Sequence, residues 1–133
     1  MDDEVRTTLI EVSRGSDAGS VTFPGVVAKL IEAGVERYHT DLVRSNKTYY
    51  LPDGQSETVS GERGDVAPAA QFSAAGVDAA VRASQAGTIS YREFCERILA
   101  AGCVGYFVSI TGRRALYYGR SAETHTELFP GAR

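Results

Sequence analysis

Two stretches of the chain repeat one pattern of apolar and polar positions. Val26, Val27, Leu30 and Ile31 fall on one face of a helix, and Phe94, Cys95, Ile98 and Leu99 repeat that spacing. Pro24 suits the first turn of the earlier helix, where its missing N–H costs nothing. Ser90 and Glu93 form an S-x-x-E capping box at the start of the later one. Gly34 and Gly102 mark the helix ends, since glycine takes the left-handed conformation without penalty. Weaker helical stripes precede each. Val5, Leu9, Ile10 and Val12 predict a helix over residues 3–13, and Val77, Ala80, Val81 and Ser84 predict one over residues 74–86.

Beyond each glycine the period shortens to that of a strand. Residues 35–43 and 47–51 flank a turn at Arg44-Ser45-Asn46; residues 103–111 and 115–119 flank Gly112-Arg113-Arg114. Each pair predicts a β-hairpin. Tyrosines gather in these strands, as expected of a half-buried pleated surface. Pro52-Asp53-Gly54 reads as a turn. Short third strands are expected near residues 55–59 and 123–129.

The two halves align without a gap at an offset of 68 residues. Arg14 meets Arg82, Ser16 meets Ser84, Ala18 meets Ala86 and Gly19 meets Gly87. Ala33 meets Ala101, Gly34 meets Gly102, Tyr38 meets Tyr106, Tyr49 meets Tyr117 and Tyr50 meets Tyr118. The expected fold is α+β: a duplicated helix–helix–hairpin unit forming one pseudo-two-fold domain over residues 1–133, with an antiparallel sheet and four helices. Repeat one spans about residues 3–59, the linker about 60–68 and repeat two about 71–129.

Composition narrows the function classes. The chain has 133 residues, a net charge of −3, 43% hydrophobic and 23% charged residues. That balance suits a globular protein and gives no broad attraction to nucleic acid or anionic membrane. No apolar run is long enough to span a bilayer. The acidic start Met1-Asp2-Asp3-Glu4 does not resemble a secretory signal, so a cytoplasmic location is expected. Cys95 and Cys103 lack a CxxC pattern and read as small buried hydrophobes.

Gly87-Thr88-Ile89-Ser90-Tyr91-Arg92-Glu93-Phe94 looks like the second half of an EF-hand loop. The first half fails, because the ligand positions fall on Arg82, Ser84 and Ala86. A guanidinium and a methyl cannot coordinate a hard cation, so calcium binding is not expected. The helix–loop–helix geometry can persist without metal, with Val21 and Ile89 pairing across the two loops. Arg113, Arg114, Arg120 and Arg133 could form an anionic-ligand patch, but no nucleic-acid module signature accompanies them. Phosphate-loop, dinucleotide and nucleophile-elbow motifs are absent, and no cofactor or metal is expected.

Alternation along the first hairpin puts Tyr38, Thr40 and Leu42 on the core face and Arg37, His39 and Asp41 on the other. Lys47 and Tyr49 are expected to extend the His39 face. His39 and Asp41 could act as a base and its orienting carboxylate, with Tyr49 or Tyr118 as proton donor. The candidate binding group is therefore Arg37, His39, Asp41, Lys47 and Tyr49, with the second histidine, His125, added.

Thr22-Phe23-Pro24, Ala33-Gly34-Val35-Glu36-Arg37-Tyr38-His39 and Lys47-Thr48-Tyr49-Tyr50-Leu51-Pro52-Asp53-Gly54 resemble a known bacterial family. Tyr91-Arg92-Glu93-Phe94-Cys95, Ala101-Gly102-Cys103-Val104-Gly105-Tyr106 and Tyr117-Tyr118-Gly119-Arg120 do as well. The family is the YdfO/YbcV-like proteins, domain-of-unknown-function family 1398, often labelled "phage envelope protein". The resemblance covers about residues 20–130 and implies a small α+β domain in a bacterial or prophage setting. It carries over no catalytic residue. The expectation is a non-enzymatic ligand-binding or protein-interaction module, with a small acid–base enzyme centred on His39 and Asp41, or a phage-derived structural or assembly protein, as alternatives. A homodimer is left open.

Overall fold

The computed structural model describes residues 1–19, 22–61 and 64–130. The chain runs α1 (Asp3–Asp17), α2 (Phe23–Glu32), β1 (Arg37–Asp41), β2 (Asn46–Tyr50) and β3 (Ser56–Ser60). It then runs α3 (Ala74–Gln85), α4 (Tyr91–Ala100), β4 (Cys103–Ser109), β5 (Arg114–Gly119) and β6 (Thr124–Leu128). This is an α+β fold with four helices and one six-stranded antiparallel sheet, ordered β3-β2-β1-β4-β5-β6. Both short third strands are present. No described helix is long and apolar enough to cross a membrane.

Local chemistry fixes the helix ends. Asp2 Oδ1 accepts hydrogen bonds from the Glu4 and Val5 amides at 2.8 and 3.1 Å and starts α1. Thr22 and Ser90 cap α2 and α4 in the same way, at 3.3 and 3.1 Å. Gly34, at φ 83°, closes α2: its N–H donates to Ile31 O and that of Val35 to Leu30 O. That bond holds Val35 in the helix terminus, so β1 starts at Arg37 rather than at residue 35. Helix α1 runs a turn beyond the expected residue 13, because Ser13 and Ser16 are buried on its inner face. Small polar residues do not show in an apolar stripe.

Adding 68 to each residue number maps the β1–β2 ladder onto β4–β5. Tyr38 opposes Tyr49 as Tyr106 opposes Tyr117, and Arg37 opposes Tyr50 as Gly105 opposes Tyr118. The β2–β3 pair Tyr50–Ser56 maps onto Tyr118–Thr124 in the same way. The halves meet where β1 pairs β4, Tyr38 against Val108 and Thr40 against Tyr106.

The helices pack on one face of the sheet. Leu9, Val12, Leu30, Val77, Phe94 and Ile98 meet Tyr38, Tyr49, Tyr106, Val108, Ala115 and Tyr117 there. The expected core face of β1 holds: Tyr38, Thr40 and Leu42 are buried. Among the described residues no element covers the opposite face, where Phe107 is 44% and Leu128 43% exposed. Ile89 packs at the edge of the core; Val21, its expected loop partner, lies outside the described residues, as does Arg133.

Candidate functional site

The sheet separates the candidate residues into two groups. His39 lies on the uncovered face, opposite Thr48 on β2 and Phe107 on β4. Its ring sits 4.4 Å from that of Phe107, and its Nε2 lies 2.6 Å from the Tyr118 hydroxyl. Burial holds the His39 pKa below its ordinary value, with the Asp41 charge opposing. Asp41 Oδ1 accepts from the Val43 and Arg44 amides, both at 3.0 Å, and so caps the hairpin turn. The hydrogen-bond partner of His39 is thus Tyr118 rather than Asp41, which acts on the imidazole through charge. Arg37 shares this face, its guanidinium 4.0 Å over the Tyr50 ring. Phe107, Leu116, Tyr118 and Arg120 line a shallow groove with His39.

Lys47 and Tyr49 do not extend the His39 face. The register sets Thr40 opposite Lys47 and Tyr38 opposite Tyr49, so odd-numbered residues of β2 oppose even-numbered residues of β1. Directly opposed residues share a face. Both side chains therefore enter the helix-covered side, where Tyr49 is 1% and Lys47 9% exposed. The Tyr49 hydroxyl bonds Ser13 Oγ at 2.5 Å on the face opposite His39, so it cannot serve as proton donor beside that imidazole; burial pushes the Tyr49 pKa up to about 12.

Lys47 enters a chamber of about 90 Å³ between α1, α4, β1, β2 and, beyond β3, Gly61, Gly64 and Val66. A water needs roughly 10–15 Å³ by the same measure, so there is room for several waters or one small organic molecule. Leu42, Val59, Val66 and Leu99 supply apolar wall; Ser13, Asp17, Thr40 and Tyr91 supply polar atoms. The Lys47 Nζ stands 4.2 Å over the Tyr91 ring. The Tyr91 and Tyr106 hydroxyls bond at 2.6 Å. Thr40 Oγ1, beside the Tyr106 hydroxyl, is buried without a well-formed hydrogen bond. Burial pulls the Lys47 pKa down, with Asp17 opposing through its charge. Burial pushes the Cys95 thiol up to about 11, so it borders the chamber as a neutral group. Cys103 is fully buried, and its thiol is likewise pushed up to about 11. Sequence reasoning missed Ser13, Asp17 and Tyr91; the one available signal was that α4 opens its apolar stripe with a tyrosine.

His125 stands apart from both groups. It lies on the helix side of β6, its Nε2 3.4 Å from Glu127 Oε2 and 3.8 Å from Asp78 Oδ1. His39 and His125 occupy opposite faces of the sheet, so no site joins them. Asp78, His125 and Glu127 have ligand atoms close enough to share a cation. Arg82 already serves that charge, its guanidinium 2.7 Å from Glu127 and 3.2 Å from Asp78. Arg113 lies in the hairpin turn at φ 52°, and Arg114 is exposed on β5.

Residues 20–127 match the model of a family described as "Protein of unknown function (DUF1398)". An uncharacterized protein of Mycobacterium tuberculosis and one of Mycobacterium bovis are each 34% identical to this chain over 117 residues. The match covers 80% of this chain and 66% of each relative, so the chain spans just under two thirds of their length.

Proposed function

The chain belongs to the DUF1398 family, and we propose that it is a small-molecule-binding protein whose ligand occupies the chamber around Lys47. The observation that carries this reading is Lys47, a residue only 9% exposed, set in the wall of a space large enough for a ligand. Burying an amine is costly unless something solvates it. A bound polar group would recover that cost, and the apolar residues around it would hold a hydrocarbon part. A mostly apolar concave site with a few convergent polar groups is the usual form of a ligand pocket. The uncovered sheet face is shallower and offers less enclosure.

A second reading rests on the 2.6 Å contact between His39 and Tyr118. An imidazole with a lowered pKa, bonded to a phenol on an open face, suits acid–base chemistry on a substrate lying across Phe107. The two readings use opposite faces and separate cleanly.

The test is native mass spectrometry of the protein from a bacterial host, alongside Lys47→Met and Tyr118→Phe. A co-purified small molecule lost in Lys47→Met and kept in Tyr118→Phe supports the chamber. Loss only in Tyr118→Phe moves the site to the sheet face. Where the protein is isolated without a ligand, a metabolite-library screen by thermal shift is scored on the same three proteins, and stabilisation unaffected by Lys47→Met overturns the chamber reading.

A further inference from the structure

We propose that Lys47 joins its ligand covalently, as a reversible imine with a short aldehyde or ketone held in the chamber; this rests on the binding reading above. Imine formation needs a neutral amine, a carbonyl-sized space beside it and a route for protons. The chamber supplies the space and the hydroxyls, and desolvation favours the neutral amine.

The setting shifts the amine towards its neutral form. Lys47 is 9% exposed, and its Nζ stands over the Tyr91 ring at the chamber wall. The Tyr91 ring and the more distant Asp17 charge favour the cation, yet desolvation outweighs them and lowers the pKa. The chain carries twelve arginines and two lysines, Lys29 and Lys47. A guanidinium would stay protonated in this position and could not act as a nucleophile; an amine can. Leu42, Val59, Val66 and Leu99 would bound a short aliphatic chain, and the volume of about 90 Å³ limits the ligand to a small one.

The step balances without an oxidant or reductant. The nitrogen lone pair adds to the carbonyl carbon and forms the C–N bond. The oxygen leaves as water with the two protons that the nitrogen gives up. The Thr40 and Tyr91 side chains line the chamber, and the Tyr91 hydroxyl, bonded to that of Tyr106, can relay those protons with Thr40.

The experiment uses butanal with sodium cyanoborohydride on the intact folded chain, followed by peptide mapping. Lys29 is exposed on α2 and serves as an internal reference. Lys47 should be alkylated at least about ten times faster than Lys29, because an amine shifted towards its neutral form adds to a carbonyl faster than an exposed ammonium. Unfolding the protein should abolish the preference between the two lysines, and Lys47→Met, checked for folding by circular dichroism, should show no fast lysine. Alkylation of Lys47 no faster than Lys29 overturns the imine. Amide chemical shifts read the two proposals apart. Butanal that moves Thr40, Val59 and Leu99 without trapping at Lys47 ends the imine and leaves non-covalent binding standing. Butanal that neither shifts these amides nor traps at Lys47 also ends the imine, and the binding reading is then decided by the native mass spectra.

Discussion

His39 Nε2 and the Tyr118 hydroxyl meet at 2.6 Å on the uncovered sheet face, although 79 residues separate them in the chain. Gly105, directly opposite Tyr118, makes the contact sterically accessible: a Cβ there would stand 2.2 Å from the Tyr118 oxygen. Gly105→Ala is therefore expected to push the phenol off His39 and abolish the nuclear Overhauser contact between the two rings.

His39 should titrate below 6.5, and Asp41→Asn should lower it further by removing the charge that favours the imidazolium. A group whose folded pKa is depressed contributes stability that is present above its unfolded value and lost as pH falls through the folded one. The stability of the wild type should thus decline as pH drops below about 6.5, and His39→Gln should flatten that part of the profile. Chemical denaturation across the range checks both; a wild-type midpoint at or above 6.5 contradicts the assignment.

Buried phenols set the alkaline limit. Burial raises the pKa values of Tyr38, Tyr91 and Tyr106 well above 10.0 and that of Tyr49 to about 12. Here the folded values exceed the unfolded one, so the stabilisation is complete below pH 10 and disappears as pH rises through the folded values. The phenolate absorbance of these four tyrosines should appear together with loss of circular dichroism above pH 10, rather than before it.

The Ser13–Tyr49 hydrogen bond ties α1 to the sheet in a buried setting. Tyr49→Phe should cost ~1–3 kcal/mol, since it leaves a buried serine hydroxyl unpaired. Adding Ser13→Ala should recover part of that loss. Strict additivity in the double-mutant cycle would show that the two groups are not coupled.

Gly34 and Gly102 close equivalent helices at φ 83° and 86°, yet their surroundings differ. A Cβ at Gly34 meets nothing within 4 Å, whereas one at Gly102 would stand 2.2 Å from the Gln71 carbonyl oxygen. Gly34→Ala should cost ~1–2 kcal/mol, the penalty of the left-handed conformation alone. Gly102→Ala should cost ~3 kcal/mol or more, because backbone cannot move aside as a side chain can. Equal melting temperatures for the two variants would contradict this.

Much of the framework was legible in the residues. Pro24, Ser90, Gly34 and Gly102 act on their own neighbours, so these helix ends are read locally. The third strands and the core face of β1 followed from turn residues and alternation. Lys47 and Tyr49 were assigned to the wrong face because alternation was carried across the turn. A hairpin resets the phase according to its register, and register depends on the loop that closes it.

Local chemistry and periodicity in the sequence determined the four helices, the strands and the sites of their ends, because those depend on neighbours within a turn or two. Tertiary structure alone decided that β1 pairs β4, which brings Tyr118 to His39, and that α1 and α4 close over Lys47 with Ser13 and Tyr91. These contacts join residues far apart in the chain. No local preference encodes them; they follow from the burial of all four helices against one face of a single sheet.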